Sequence, residues 1–276
     1  MTMMKDFLYA LLLLVLTGCG PKTFTVVQIA DAQLGFTAAE LSQTTGAEYV
    51  NDLTYEVGCL RRAVEMVNEL RPDVVVFTGD QVNYADNTEQ WDAFAEIIRD
   101  IDGSIKVLHL PGNHDVRFGS GSVDSSPFTE RYGDDHFVYS VQGVNLIGIN
   151  TNLIKSDDPD EAAQFEWLRS TLHGTVPSDI TLIFGHHPFF MTDIDEDDSY
   201  FPLQKSKRRT YFELFTETGV DAVYAGHRHN NSQGVYNGIP MTTTTSVGFQ
   251  IGEASPSVRV ISVMDGELSD ELIGII

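Results

Sequence analysis

Five apolar runs rich in β-branched residues each end in polar side chains suited to binding a metal. This recurrence limits the folds open to the chain more than any other feature. The run 24–31 ends in Asp31, with Gln33 two residues later, and "DVVVFT" at 73–78 ends in Gly79-Asp80. "IKVLHL" at 105–110 ends in Pro111-Gly112-Asn113-His114-Asp115. The run 180–184 ends in Gly185-His186-His187, and "VDAVYA" at 220–225 ends in Gly226-His227-Arg228-His229. One Asp behind a strand is ordinarily a turn residue or a helix cap. Five such endings, four of them opened by glycine, point instead to one ligand site at the C-terminal edge of an open α/β sheet. The glycines allow a tight turn and close backbone approach there.

The apolar periodicity predicts strands at 24–31, 73–79, 105–110, 137–142, 144–150, 180–185 and 220–225. It predicts helices near 56–70, 88–101, 160–172 and 207–218. Strands separated by single helices are the mark of βαβ units, so the class is α/β. Residues 233–276 show short strand-like runs and no helical pattern, which fits mixed sheets covered by helices on the outside. Residues 117–135, rich in Gly, Ser and Asp, and 192–209, an acidic block followed by a basic one, read as surface loops.

The N-terminus lies outside this pattern. Lys5 precedes an apolar run from Phe7 to Leu16, too short to span a bilayer but suited to a signal peptide. It ends in Leu16-Thr17-Gly18-Cys19, which resembles the lipobox of bacterial lipoproteins. The expectation is a signal peptide over 1–18, a lipidated Cys19, a tether to residue 23 and a single domain over 24–276. The protein would then be exported and held on a bacterial membrane by its lipid. Cys59, alone in a helical pattern, reads as a packed core thiol. A net charge of −23 argues against nucleic acid as a partner, while leaving room for a phosphate substrate beside bound cations.

Asp31, Gln33, Asp80, Asn113, His186, His227 and His229 are too many groups for one tetrahedral ion. As oxygen and imidazole donors they suit Mn, Mg, Fe or Zn. Two ions sharing a carboxylate would use them all, and such pairs serve in-line displacement at phosphorus. The series from Asp31 to His229 resembles the fingerprint of the calcineurin-like metallophosphoesterases. That resemblance implies a four-layer αββα sandwich of two mixed β-sheets. It also implies two divalent ions, Mn being the first choice. One ion would sit on Asp31, Gln33, Asp80 and His229, and the other on Asp80, Asn113, His186 and His227. A solvent molecule activated between them would attack phosphorus. His114 would protonate the leaving oxygen and Asp115 would orient its ring. His187 and Arg228 stand beside ligands as second-layer or substrate-contacting candidates.

Gln33 occupies a position where most of the family has His, and its harder oxygen favours Mn or Mg over Zn or Fe. Asn83 stands where purple acid phosphatases have their iron-binding Tyr. The Asp-x-Gln pattern is similar to a branch of eukaryotic calcineurin-like domain proteins described as serine/threonine phosphatases. So are "RYGDDHF" at 131–137, "DIDEDDSY" at 193–200 with "KSKRR" after it, and "GHRHNN" leading into "SVGFQIG" at 246–252. The leading expectation is a phosphomonoesterase, with a phosphoprotein or a small phosphate ester as substrate. A phosphodiesterase acting on cyclic nucleotides or phospholipid headgroups, and a non-catalytic metal-binding lipoprotein, are the alternatives.

Overall fold

A computed structural model describes residues 23–275 apart from 120 and 178. The signal peptide and Cys19 lie outside the described residues. In chain order the elements are β1 (Thr23–Ile29), α1 (Phe36–Thr45), α2 (Thr54–Leu70), β2 (Val74–Thr78), α3 (Thr88–Ile98) and β3 (Lys106–Leu110). There follow β4 (Arg117–Phe118), β5 (Val123–Asp124), α4 (Ser126–Tyr132), β6 (Phe137–Val141), β7 (Val144–Gly148), α5 (Thr151–Lys155) and α6 (Glu161–His173). The chain continues through β8 (Ile180–Phe184), α7 (Lys205–Thr218), β9 (Ala222–Ala225), β10 (Ser232–Tyr236), β11 (Ile239–Thr243), β12 (Ser257–Met264) and β13 (Glu267–Gly274).

Two mixed sheets result, one in the order β13-β12-β1-β2-β3 and one in the order β10-β11-β9-β8-β7-β6. Within them β1, β2 and β3 run parallel, as do β7, β8, β9 and β11. Alternation along each strand builds three cores, because successive side chains point to opposite faces. Val26, Val74, Val76 and Leu108 meet Leu146, Leu182, Phe184 and Tyr224 between the sheets. Val27, Val75 and Phe77 face outward against Leu60, Val64, Val67 and Phe94 of α2 and α3. On the far side Ile147, Ile183 and Val223 pack on Leu168, Leu172, Phe212 and Phe215 of α6 and α7. Burial on both faces explains why β2 reads as an unbroken apolar run. The αββα layering expected from the sequence is therefore the observed one, and Cys59 sits buried in the core under α2.

Some elements depart from the sequence reading. Helix α1 had no periodic signal, and only Ala39 of it is buried. Helix α4 forms inside the segment read as a loop, with Pro127 in its first turn, where proline is tolerated. The basic block 205–209 lies in the first turn and a half of α7 rather than in a loop.

Candidate metal centre

Parallel strands of both sheets deliver their C-terminal ends to one place. The segment after β1 is laced to the segment after β2: Asp31 N–H donates to Gly79 O (3.2 Å) and Gln33 N–H to Asp80 O (2.7 Å). In the second sheet the ends of β8 and β9 are tied by Gly226 N–H to His186 O (3.0 Å), and that sheet joins the first through His227 N–H to the Asp31 carboxylate (3.0 Å). The backbone turns sharply at the candidate ligands themselves. Asp31, Gln33, Asp80, His227 and His229 all adopt left-handed φ, between 41° and 63°. For residues with a Cβ this costs on the order of 1 kcal/mol each, and strain gathered on the polar residues of one site is a mark of function. Glycine is needed at two neighbouring positions for space. A Cβ on Gly112 would overlap the Asp80 carboxylate, and one on Gly226 would fall 2.5 Å from Asp31 Oδ2.

The side chains converge. His186 Nε2 lies 3.3 Å from Asp80 Oδ2 and 3.0 Å from Asn113 Oδ1, and His229 Nε2 lies 3.4 Å from Asp31 Oδ1. Ligand atoms of Asp31, Asp80 and His186 fall within 4.8 Å of one another. The other ring nitrogen of each histidine decides its tautomer. His186 Nδ1 faces Thr78 O at 2.9 Å and His229 Nδ1 faces Phe249 O at 2.5 Å. A carbonyl only accepts, so both Nδ1 atoms carry protons and both Nε2 atoms are available to a metal.

Two polar atoms among the expected ligands are buried without any hydrogen-bond partner, Gln33 Oε1 and His227 Nε2. Buried polar atoms rarely go unpaired, and a cation would relieve the Gln33 oxygen. The donor set thus fits two divalent ions: hard oxygens, imidazoles and no thiolate. Electrostatics agree. Burial alone would push the Asp80 carboxyl up, but His186, His114 and His227 hold it well below the usual carboxylate range. Burial works against a charged His186, and Asp80 and Asp31 outweigh it, raising that ring to about 9. Such a site is built around negative charge that a cation can neutralise.

His187 is different in kind. Its ring lies 4.2 Å from that of His227, centroid to centroid, close enough to be taken for a ligand. The Thr151 hydroxyl oxygen, however, already accepts the backbone N–H groups of His186 and His187, at 3.1 and 2.8 Å. Its own proton therefore goes to His187 Nδ1, 3.2 Å away. Burial and the neighbouring His227 push the His187 pKa well below the ordinary value, so the ring is neutral with its proton on Nε2. That tautomer packs against His227, although ligand atoms of His186, His187 and His227 also fall within 4.8 Å of one another.

The contacts correct the expectation for Asp115. Its carboxylate accepts the backbone N–H groups of Gly112 (2.8 Å), Gln81 (2.9 Å) and Val82 (3.2 Å), clamping the ends of β2 and β3 together. Both of its oxygens are thereby engaged by backbone. The ring of His114 instead takes its orientation from Asn83 O, 2.8 Å from Nδ1. Its backbone N–H donates to Asp80 Oδ1 at 2.8 Å. Asn113 and His114 are partly exposed and line a cleft of about 770 Å³ with Tyr84, Asp86, Glu89 and Arg117.

The first expected surface loop reaches this cleft, and the second reaches His227. Arg117 pairs with Asp86 and Asp124 at the cleft wall. Two arginines of the second loop pair with its own acids, Arg209–Asp195 (2.5 Å) and Arg208–Asp198 (3.4 Å). What that loop presents is aromatic. Tyr200 and Phe201 pack on the His227 ring at 5.2 and 5.7 Å between centroids.

Sequence reasoning missed Thr151, Ser246 and Asn83. Ser246 donates to Asp31 O at 2.6 Å and so fixes the first ligand. The signal for two of the three was present, since β7 and β11, parallel to β8 and β9, are also followed by polar runs, "NTN" and "TTS".

The calcineurin-like phosphoesterase family model matches residues 24–231. The zebrafish (Danio rerio) protein named serine/threonine-protein phosphatase CPPED1 is 31% identical over 259 residues, covering 89% of this chain and 82% of that protein. The mouse (Mus musculus) protein of the same name is 30% identical over 251 residues, covering 87% and 80%. Among solved structures, the purple acid phosphatase PPD1 of yellow lupin superposes with a TM-score of 0.69 at 14% identity. That match covers 93% of this chain and 52% of the lupin chain, and it shares the fold. Site geometry and sequence likeness agree, and the chain belongs to the calcineurin-like phosphoesterase family as a dinuclear metallophosphoesterase.

Proposed function

We propose that the protein is a phosphomonoesterase that works with two Mn ions and uses His114 as its proton donor. The observation that carries this reading is the position of His114. It stands on the wall of an open cleft, one residue from Asn113, and its amide is hydrogen-bonded to Asp80. In this reading Asp31, Gln33, Asp80 and His229 hold one ion, and Asp80, Asn113, His186 and His227 the other. When bound, the ions supply an activated water and positive charge opposite the phosphoryl oxygens. With Nδ1 bonded to Asn83 O, His114 aims Nε2 at the cleft, where a proton on it passes to the departing oxygen. The names of the zebrafish and mouse relatives support phosphoserine or phosphothreonine in a protein as the substrate. Turnover of p-nitrophenyl phosphate against bis(p-nitrophenyl) phosphate tests the choice. The monoester should be the faster by about tenfold or more, which is about 1.4 kcal/mol in the barrier. Faster diester turnover would move the assignment to a phosphodiesterase.

The same proposal places the enzyme outside the cytoplasm on a lipid at Cys19, on the strength of the leader and its Leu-Thr-Gly-Cys ending. Among the described residues no helix is long and apolar enough to cross a membrane. Cys19→Ser should move the protein from the membrane fraction to the soluble one, and an unchanged distribution would rule the anchor out.

A further inference from the structure

Arg228 stands between the two histidines of the Gly226–His229 turn, yet its side chain leaves the centre. Its guanidinium carbon lies 4.6 Å from the centroid of the Phe201 ring. Arg208 and Arg209, which close the segment that carries Phe201, are paired with Asp198 and Asp195. Among the described residues, by contrast, Arg228 has no carboxylate within ion-pair distance and no side-chain hydrogen bond. In a chain with 40 acidic and 17 basic side chains, an unpaired cation next to the centre needs a reason. Stacking on an aromatic face holds the guanidinium plane while leaving its N–H edges free to grip an anion.

The ledge beneath it is prearranged. Lys155 Nζ donates to Ser199 O (3.2 Å) and Pro202 O (2.5 Å), the carbonyls that bracket Tyr200 and Phe201. Gln204 Nε2 returns to Lys155 O at 2.5 Å. The buried Arg208 donates to Leu203 O (2.9 Å), Ile194 O (3.2 Å) and Glu196 O (2.6 Å). A loop tied down so thoroughly nevertheless leaves Tyr200 65% exposed beside a candidate metal ligand. The Tyr200 phenol carries an O–H donor to that place. Stacked on Phe201, whose ring in turn packs on His227, Arg228 serves the mouth of the site rather than the metal pair.

We propose that Arg228, Phe201 and Tyr200 form a subsite for a second anionic group of the substrate. That group is a carboxylate or a further phosphate, held beside the scissile phosphoryl. The preferred substrate is then a phosphate ester with two anionic groups. This rests on the phosphoesterase reading above and adds the identity of the substrate's second contact. Charge-assisted, geometrically fixed contacts of this kind discriminate well between bearers of the charge and isosteres that lack it.

The test is calorimetric titration of the Mn-loaded protein and its Arg228→Gln variant with phenylphosphonate and 3-carboxyphenylphosphonate, neither of which is hydrolysed. The wild type should bind the carboxylated analogue about tenfold more tightly, and the variant should lose that preference. Binding of phenylphosphonate with no preference for the carboxylate would overturn the subsite and leave the phosphoesterase reading standing. An equal loss for both analogues in the variant would also overturn it, placing Arg228 on the scissile phosphoryl. If the wild type bound neither analogue, the phosphoesterase reading and the subsite would fall together.

Discussion

His114 is aimed by Asn83: its Nδ1 lies 2.8 Å from the Asn83 carbonyl oxygen, and Asp115, the next residue in the chain, points elsewhere. The proposed proton donor and an architectural clamp are thereby adjacent side chains. His114→Ala should lower kcat by about 10²–10⁴-fold with metal content unchanged, as loss of a proton donor does. Asp115→Ala strands three buried amide donors and should cost at least about 3 kcal/mol, seen in urea denaturation. Equal stability of the two variants would contradict this division.

Gln33 offers a buried amide oxygen that has no partner within the protein. Gln33→His should raise retention of Zn relative to Mn during dialysis, because imidazole is the softer donor. Gln33→Ala should leave about one metal per chain by elemental analysis. Full retention of metal by the alanine variant would show that the amide is not a ligand.

Gly112 is required by its neighbour rather than by its own dihedral angle. Gly112→Ala drives a methyl group into the Asp80 carboxylate, and overpacking of this kind costs about 1–3 kcal/mol. Metal content should fall with stability, since Asp80 is the group displaced. An alanine variant with normal metal content would show that the carboxylate can move aside freely.

Stability of the metal-free protein should depend on pH through His186. Its pKa, 6.5 in an ordinary setting, is raised to about 9 in the folded chain. The stabilisation from this ring is therefore complete below about pH 6.5 and is lost as pH rises through about 9. Over the same window metal binding should release a proton and tighten with pH, because the ion takes the place of the Nε2 proton. Calorimetry in two buffers of different ionisation enthalpy reads that proton directly. No proton release at pH 7 would mean that His186 is already neutral.

The α/β class and the seven candidate ligands were legible from local pattern, since buried strands read as apolar runs that polar residues interrupt abruptly. The four-layer sandwich was implied only by the family resemblance. Helix α1 was not legible, since it buries little and so carries no apolar stripe. The true supports of the ligands were harder to see. Thr78, Asn83 and Phe249 act through backbone carbonyls, which any side chain could carry. Thr151 and Ser246 lie far along the chain from the residues they hold. The pairing of the acidic block with the basic one became visible only once α7 had turned Arg208 and Arg209 back onto the loop.

The central claim is a pair of ions at the strand ends that supports phosphoryl transfer to water. Its most direct test is metal content per chain, paired with p-nitrophenyl phosphate turnover after chelation and after Mn is restored. The account predicts about two ions per chain, turnover abolished by the chelator, and recovery with Mn. One ion or none, with no turnover in any divalent metal, would contradict it.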